Sequence, residues 1–198
     1  MTEKGKLFVV SGPSGAGKTA TITGAMAQRS DICFSVSVTT RSPRPGEVDG
    51  KDYIFISEQQ FLQMADRNEL LEHAVYVGNR YGTPRAYVQQ MLDKGVNVVL
   101  DIEVQGARQV HASVPDAMMI FLIPPSLEEL KRRLTNRGTE TEEKIRQRLQ
   151  RAREEYAETD IYQYIIINDK LDVAVNELCS IITAAHCQIE NRRNYLLQ

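Results

Sequence analysis

The stretch that decides the fold is Leu7-Phe8-Val9-Val10-Ser11-Gly12-Pro13-Ser14-Gly15-Ala16-Gly17-Lys18-Thr19. Four consecutive apolar residues, Leu7 to Val10, predict a strand buried on both faces of a parallel sheet. Ser11 to Gly17 is too rich in glycine to continue that strand, and the sequence from Lys18 to about Gln28 predicts a helix. Gly12 to Thr19 satisfies the complete G-x-x-x-x-G-K-[ST] pattern, in the strand–loop–helix setting that the pattern requires. Each position has a chemical reason. Glycines let the backbone curl until successive N–H groups point at one set of phosphate oxygens, with the helix N-terminus behind them. Lys18 brings a mobile positive charge to the β/γ-phosphates, and the Thr19 hydroxyl is placed for Mg²⁺. A plain glycine turn would not need all eight positions. Gly12, Pro13, Ser14, Gly15, Ala16, Gly17, Lys18 and Thr19 are therefore expected to hold a nucleoside triphosphate with its Mg²⁺. About a second substrate the loop is silent.

Three more apolar runs extend the reading outward. Val96–Leu100 ends in Asp101, Met118–Ile123 ends at Pro124-Pro125, and Tyr164–Ile167 ends in Asn168-Asp169. With helical patterns between them, these predict an α/β fold with a parallel sheet flanked by helices. Asp101, closing the strand run nearest in sequence, is the natural partner of Thr19 at the metal, with Glu103 as fallback and helix capping as the rival role. Between about residues 34 and 90 the pattern changes. Phe34–Val38 and Tyr53–Ile56 read as half-buried or edge strands around the turn-rich Ser42-Pro43-Arg44-Pro45-Gly46, predicting a small lobe with an antiparallel component. Ser57-x-x-Gln60 and Ser126-x-x-Glu129 are capping-box patterns.

Composition excludes several classes. With 42% hydrophobic and 25% charged residues and a net charge of −2 over 198 residues, the chain does not read as a nucleic-acid or membrane binder. It has no apolar run of membrane-spanning length and no secretory leader pattern. Cys33, Cys179 and Cys187 have neither C-x-x-C spacing nor a histidine cluster, so reduced thiols in a soluble, cytoplasmic protein are expected.

Ser37-Val38-Thr39-Thr40-Arg41-Ser42-Pro43-Arg44-Pro45-Gly46-Glu47-x-x-Gly50-x-Asp52-Tyr53, together with the phosphate loop, resembles the guanylate kinase family. Glu69-Leu70-Leu71-Glu72, Gly78-Asn79-Arg80-Tyr81-Gly82-Thr83, Asp101-Ile102-Glu103-Val104-Gln105-Gly106 and Arg137-Gly138-Thr139-Glu140-Thr141 follow in order. The resemblance covers about Gly5 to Glu177 and implies a P-loop NTPase fold that transfers phosphate from ATP to GMP. On that likeness Arg41, Arg44, Tyr53 and Tyr81 hold the GMP phosphate. Glu72 with Ser37 takes the guanine N–H donors, Thr83 lies near O6, and Asp101 also borders the GMP. The chemistry agrees: guanidinium forks and phenols suit a phosphate monoester, and a carboxylate suits paired donors.

From Lys131 to Glu155 the chain carries nine basic and five acidic residues, with a break at Arg137-Gly138-Thr139 that predicts two helices meeting at a hinge. By resemblance this is a lid. Arg133, Arg137 and Arg148 join Lys18 and Arg41 as the catalytic cations, while Arg132, Arg146, Arg151 and Arg153 read as solvated helix surface. Arg137 also reaches the ATP, and Asn168 and Asp169 resemble the family's adenine-contacting corner. The expected division is a core of 1–33, 91–130 and 158–198, a GMP lobe of 34–90 and a lid of 131–157. One departure is Ala20, where the family often has a second hydroxyl residue. The stretch 184–198 lies past the match, and its sequence leaves open both packing on the core and self-association into a homo-oligomer. Two other functions fit parts of the pattern: a kinase of phosphorylated sugars, which Glu72 and Thr83 argue against, and a non-catalytic peptide-binding module, which Lys18 and Thr19 argue against.

Overall fold

In the computed structural model, which describes residues 4–76, 78–136 and 141–197, the opening run forms strand β1 (Leu7–Ser11), wholly buried, and leads through the glycine loop into helix α1 (Lys18–Gln28). Next come β2 (Ile32–Phe34), β3 (Val38–Thr39), β4 (Ile54–Phe55), α2 (Glu58–Asp66), β5 (Leu70–Tyr76), β6 (Asn79–Pro84) and α3 (Arg85–Asp93). The second half alternates: β7 (Asn97–Asp101), α4 (Val104–Ser113), β8 (Met118–Ile123), α5 (Leu127–Asn136), α6 (Glu142–Tyr156), β9 (Tyr164–Ile167) and α7 (Leu171–His186). A short α8 (Ile189–Arg192) and a 3₁₀ turn (Arg193–Leu197) end it.

Five strands form an all-parallel sheet in the order β2-β7-β1-β8-β9. Parallel strands covered by helices on both faces must be apolar throughout, and Phe8, Val9, Val10, Val98, Val99, Met119, Ile120 and Leu122 are completely enclosed. One face packs on α1 and α7 through Ile22, Ala25, Val175, Leu178 and Ile182. The other packs on α3 and α4 through Val88, Ala107 and Val110. The chain leaves β1 toward one edge of the sheet and β8 toward the other, so the crevice at their C-terminal ends is a topological switch point, and the glycine loop lies there.

A second sheet, β4-β3-β6-β5, is mixed: β3 runs parallel to β4, while β6 is antiparallel to both β3 and β5. Its small core holds Val38, Phe61 and Leu70. Here the structure corrects the sequence reading of Phe34–Val38 as one strand. Phe34 ends β2, paired with Val99 in the main sheet, whereas Val38 opens β3 in the second sheet. Likewise, the expected boundary at 90/91 falls inside α3, whose Val88 packs on the main core.

Ser57 caps α2 with a full capping box, its hydroxyl accepting from the Gln60 N–H and Gln60 returning the bond to the Ser57 N–H. At Ser126 the predicted box is only half made. Its hydroxyl accepts from the Glu129 N–H at 3.1 Å, but the Glu129 carboxylate is turned onto Arg132 and Arg133. α5 and α6 pack through Leu130, Leu134, Ile145 and Ala152; the predicted break, with Arg137, lies outside the described residues. The C-terminal segment breaks at Cys187 and folds back, where Lys6 donates to Asn191 Oδ1 at 3.2 Å and Asn191 donates to the Ala185 carbonyl at 2.9 Å. Beyond that, Tyr195 and Leu196 are exposed. No helix among the described residues is long and apolar enough to cross a membrane.

Candidate active site

The glycine loop is shaped by what surrounds it. At Gly12 (φ 142°) a Cβ would lie 2.0 Å from the Leu122 carbonyl oxygen of β8, so only glycine lets the chain leave the sheet there. Gly17 (φ 101°) adopts the left-handed conformation at the start of α1, and a Cβ would strike the Asn168 amide at 2.2 Å. Lys18 curls back to donate to the Gly12 carbonyl at 2.8 Å, with its Nζ 3.6 Å from Asp101 Oδ1. The Thr19 hydroxyl donates to Asp101 Oδ2 at 2.8 Å. Thus Lys18, Thr19 and Asp101 meet as one cluster, although Asp101 lies more than eighty residues away in sequence.

Arg133 and Arg148 reach the same loop. Arg133 donates through Nη1 to the Ala16 carbonyl at 3.2 Å and through Nη2 to the Asn168 carbonyl at 2.7 Å, with Nε held by Glu129 at 2.7 Å. Arg148 donates to the Ser14 hydroxyl. Glu129 was not singled out in the sequence as an arginine partner. Its spacing of four from Arg133 was the available signal. Gripped by Arg132 and Arg133, its carboxyl is held down to about 2. Asn168 is buried, and its side-chain amide donates to the Ala16 carbonyl at 2.8 Å, so in this state it braces the loop. Asp169 stands exposed beside it. Arg132, Arg146 and Arg151 lie on the open helix surface, as read from sequence.

Across the cleft, Arg41 lies over the rings of Tyr53 at 5.3 Å and Phe55 at 5.7 Å. Tyr53 meets Tyr81 edge to face at 5.8 Å. The Arg41 fork is met by Glu47, a residue the sequence offered without a role, at 2.8 and 2.9 Å. Glu47 also accepts from the Arg44 N–H at 2.7 Å. That pairing lowers the Glu47 carboxyl and raises the Arg41 guanidinium. Burial pushes the Tyr53 phenol up, with the neighbouring Tyr81 and then the charge of Asp101 adding to the rise. The Arg44 side chain is exposed, and Ser37 enters β3 with its carbonyl accepting from the Ile54 N–H at 2.9 Å.

Glu72 is the unusual group. It sits where the β5–β6 register shifts between Leu70 and His73, a bulge opposite Thr83, and only 4% of it is exposed. Bulges re-aim side chains, and this one accompanies a carboxyl turned into the interior. The Thr83 hydroxyl donates to Glu72 Oε1 at 2.7 Å. Burial raises the Glu72 carboxyl to about 7, against the lowering effect of the Thr83 bonds. A carboxyl so buried, with a hydroxyl as its side-chain donor, is costly as a mere core residue and marks Glu72 as a candidate site residue.

The guanylate kinase family model matches residues 4–185. The chain belongs to the guanylate kinase family. It is 53% identical over 192 residues to a guanylate kinase of Streptococcus thermophilus, covering 96% of this chain and 91% of the relative. With a guanylate kinase of Halalkalibacterium halodurans the identity is 48% over 188 residues, covering 95% and 92%. Among solved structures, the crystal structure of guanylate kinase from Anaplasma phagocytophilum superposes with a TM-score of 0.75 at 33% identity, covering 94% of this chain and 88% of that one. In this guanylate kinase family member the loop, the Arg41 pocket and Glu72 therefore lie in a fold shared with those enzymes.

Proposed function

We propose that this chain, an ATP:GMP phosphotransferase by family, works by direct in-line transfer of the γ-phosphoryl group to the GMP phosphate. The loop N–H groups from Ser14 to Gly17 cradle the triphosphate, and Lys18, released from Gly12, follows the moving charge. A Mg²⁺ site is supported by hard oxygen donors standing together, the Thr19 hydroxyl 2.8 Å from Asp101. Among the described residues no group of three or more His, Cys, Asp or Glu could hold a metal; Mg²⁺ commonly takes one or two carboxylates and completes its shell with phosphates and water. When bound, Mg²⁺ neutralises charge on the β- and γ-phosphates.

Arg41, Arg44, Tyr53 and Tyr81 hold the GMP phosphate, which displaces the Glu47 carboxylate from the Arg41 fork. Glu72 accepts the guanine N1–H and N2–H, Thr83 serves O6, Ser37 assists and Asp101 borders the site. Arg133, Arg137 and Arg148 cover the transferring group, and Asn168 and Asp169 border the adenine. The lobe built on the second sheet and the lid of 131–157 close over both substrates, which keeps water out. No general base is needed, since the attacking phosphate oxygen is already anionic. The cytoplasm, where ATP and GMP are both supplied, is the proposed site of action.

The observation that carries these roles is the buried Glu72 carboxyl bonded to Thr83, in the same small sheet as the Arg41 anion pocket. The test is a single variant. Lys18→Met should lower kcat by on the order of 10³ with its circular dichroism spectrum unchanged; near-normal turnover would refute the scheme.

A further inference from the structure

We infer that Gly106 and Gln109 of α4 are positioning residues for the guanine-reading carboxylate, setting Glu72 in place by docking the helix against the bulged strand β5. The inference rests on the proposed role of Glu72. β5 is an edge of its sheet, so the backbone groups on its outer side have no strand to pair with. Gln109 takes that place. The His73 N–H donates to Gln109 Oε1 at 3.0 Å, and Gln109 Nε2 donates to the His73 carbonyl at 2.7 Å. One side-chain amide thereby supplies the acceptor and the donor that a neighbouring strand would supply. The residue so pinned is the one that follows Glu72.

One helical turn earlier, Gly106 is buried within α4, a poor place for glycine on propensity grounds. Its reason is steric. A Cβ there would stand 2.3 Å from Glu72 Oε2 and 3.0 Å from its carboxyl carbon. The bare helix surface is thus the floor on which the carboxylate rests, while Thr83 holds the other oxygen. The same segment begins at Asp101, bonded to Thr19. Nine residues, Asp101 to Gln109, therefore join the phosphate end of the cleft to its base-reading end.

The test measures kcat, KM for GMP and KM for ATP in Glu72→Gln, Glu72→Asp, Gly106→Ala, Gln109→Ala and the double variant Gly106→Ala/Glu72→Asp. Gly106→Ala should raise the KM for GMP by about tenfold or more with the KM for ATP within about twofold. Gln109→Ala should show the same split more weakly. Shortening the acid by one methylene makes room for the new methyl, so the double variant should lose less than the product of Gly106→Ala and Glu72→Asp measured singly. If Gly106→Ala does not fold, Gln109→Ala alone decides by the same KM split. An unchanged KM for GMP, or equal rises for both substrates, overturns the inference. If Glu72→Gln raises the KM for GMP while Gly106→Ala and Gln109→Ala do not, the positioning role alone falls. If Glu72→Gln changes nothing, the guanine role of Glu72 falls and the inference with it.

Discussion

Glu72 places a buried acid where, in the proposed function, the guanine is read, and that has a measurable consequence before any substrate binds. With its carboxyl raised from 4.5 to about 7, the folded chain binds a proton there that the unfolded chain has released. Glu72 therefore stabilises the ligand-free fold most below pH 4.5, and that contribution is lost as pH rises to about 7. The full shift corresponds to on the order of 3 kcal/mol. Glu155, also buried and raised to about 7 by burial and by Glu103, adds a trend of the same sign. Subtracting a Glu72→Gln variant isolates Glu72. Denaturant unfolding at pH 5 and pH 8 should show the wild type losing its advantage over the variant as pH rises, and an equal difference at both values would refute the shift. Glu72 could be named from the motif around it, but neither its burial nor its bulge was legible. A register shift depends on which strand pairs with β5, and nothing local to Leu70–His73 encodes that. Glu47 escaped for a related reason, since a carboxylate among turn residues reads as solvent-facing until the fold sets Arg41 opposite it.

Local rules read well where the element is local. The glycine loop with α1, the strands at Met118–Ile123 and Tyr164–Ile167, and the Ser57 capping box stand where periodicity and capping chemistry place them. Phe34–Val38 failed because an apolar alternation of five residues cannot tell which of two sheets claims each end. α5 illustrates the link from element to chemistry. Its Arg133 joins the loop carbonyl of Ala16 to that of Asn168, a task for a planar fork that a lysine cannot reproduce. Arg133→Lys should lower kcat by about tenfold to a hundredfold, whereas Arg132→Lys, on the open face, should stay within about twofold. Steady-state kinetics on the two variants decide this, and wild-type kcat in Arg133→Lys would contradict the assigned role.

For the whole molecule, the alternation of strands and helices disclosed a parallel sheet, but not its order, because the order is fixed by crossovers that only tertiary packing selects. That order is what brings Asp101 beside Thr19. The proposed function depends on two recognitions being joined in one site: a triphosphate on the loop, and a guanine monophosphate held by Arg41 and Glu72. Removing Mg²⁺ with a chelator should abolish turnover while leaving the fold unchanged, and full activity in excess chelator would count against the metal site proposed at Thr19 and Asp101. The most direct test is ADP release from ATP, measured with GMP, AMP, UMP and CMP in turn on the wild type and on Glu72→Gln. The wild type should turn over GMP with kcat/KM at least about 10³-fold above the other three, and Glu72→Gln should lose most of that preference. Comparable turnover of AMP by the wild type, or an undiminished preference for GMP in the variant, would contradict it.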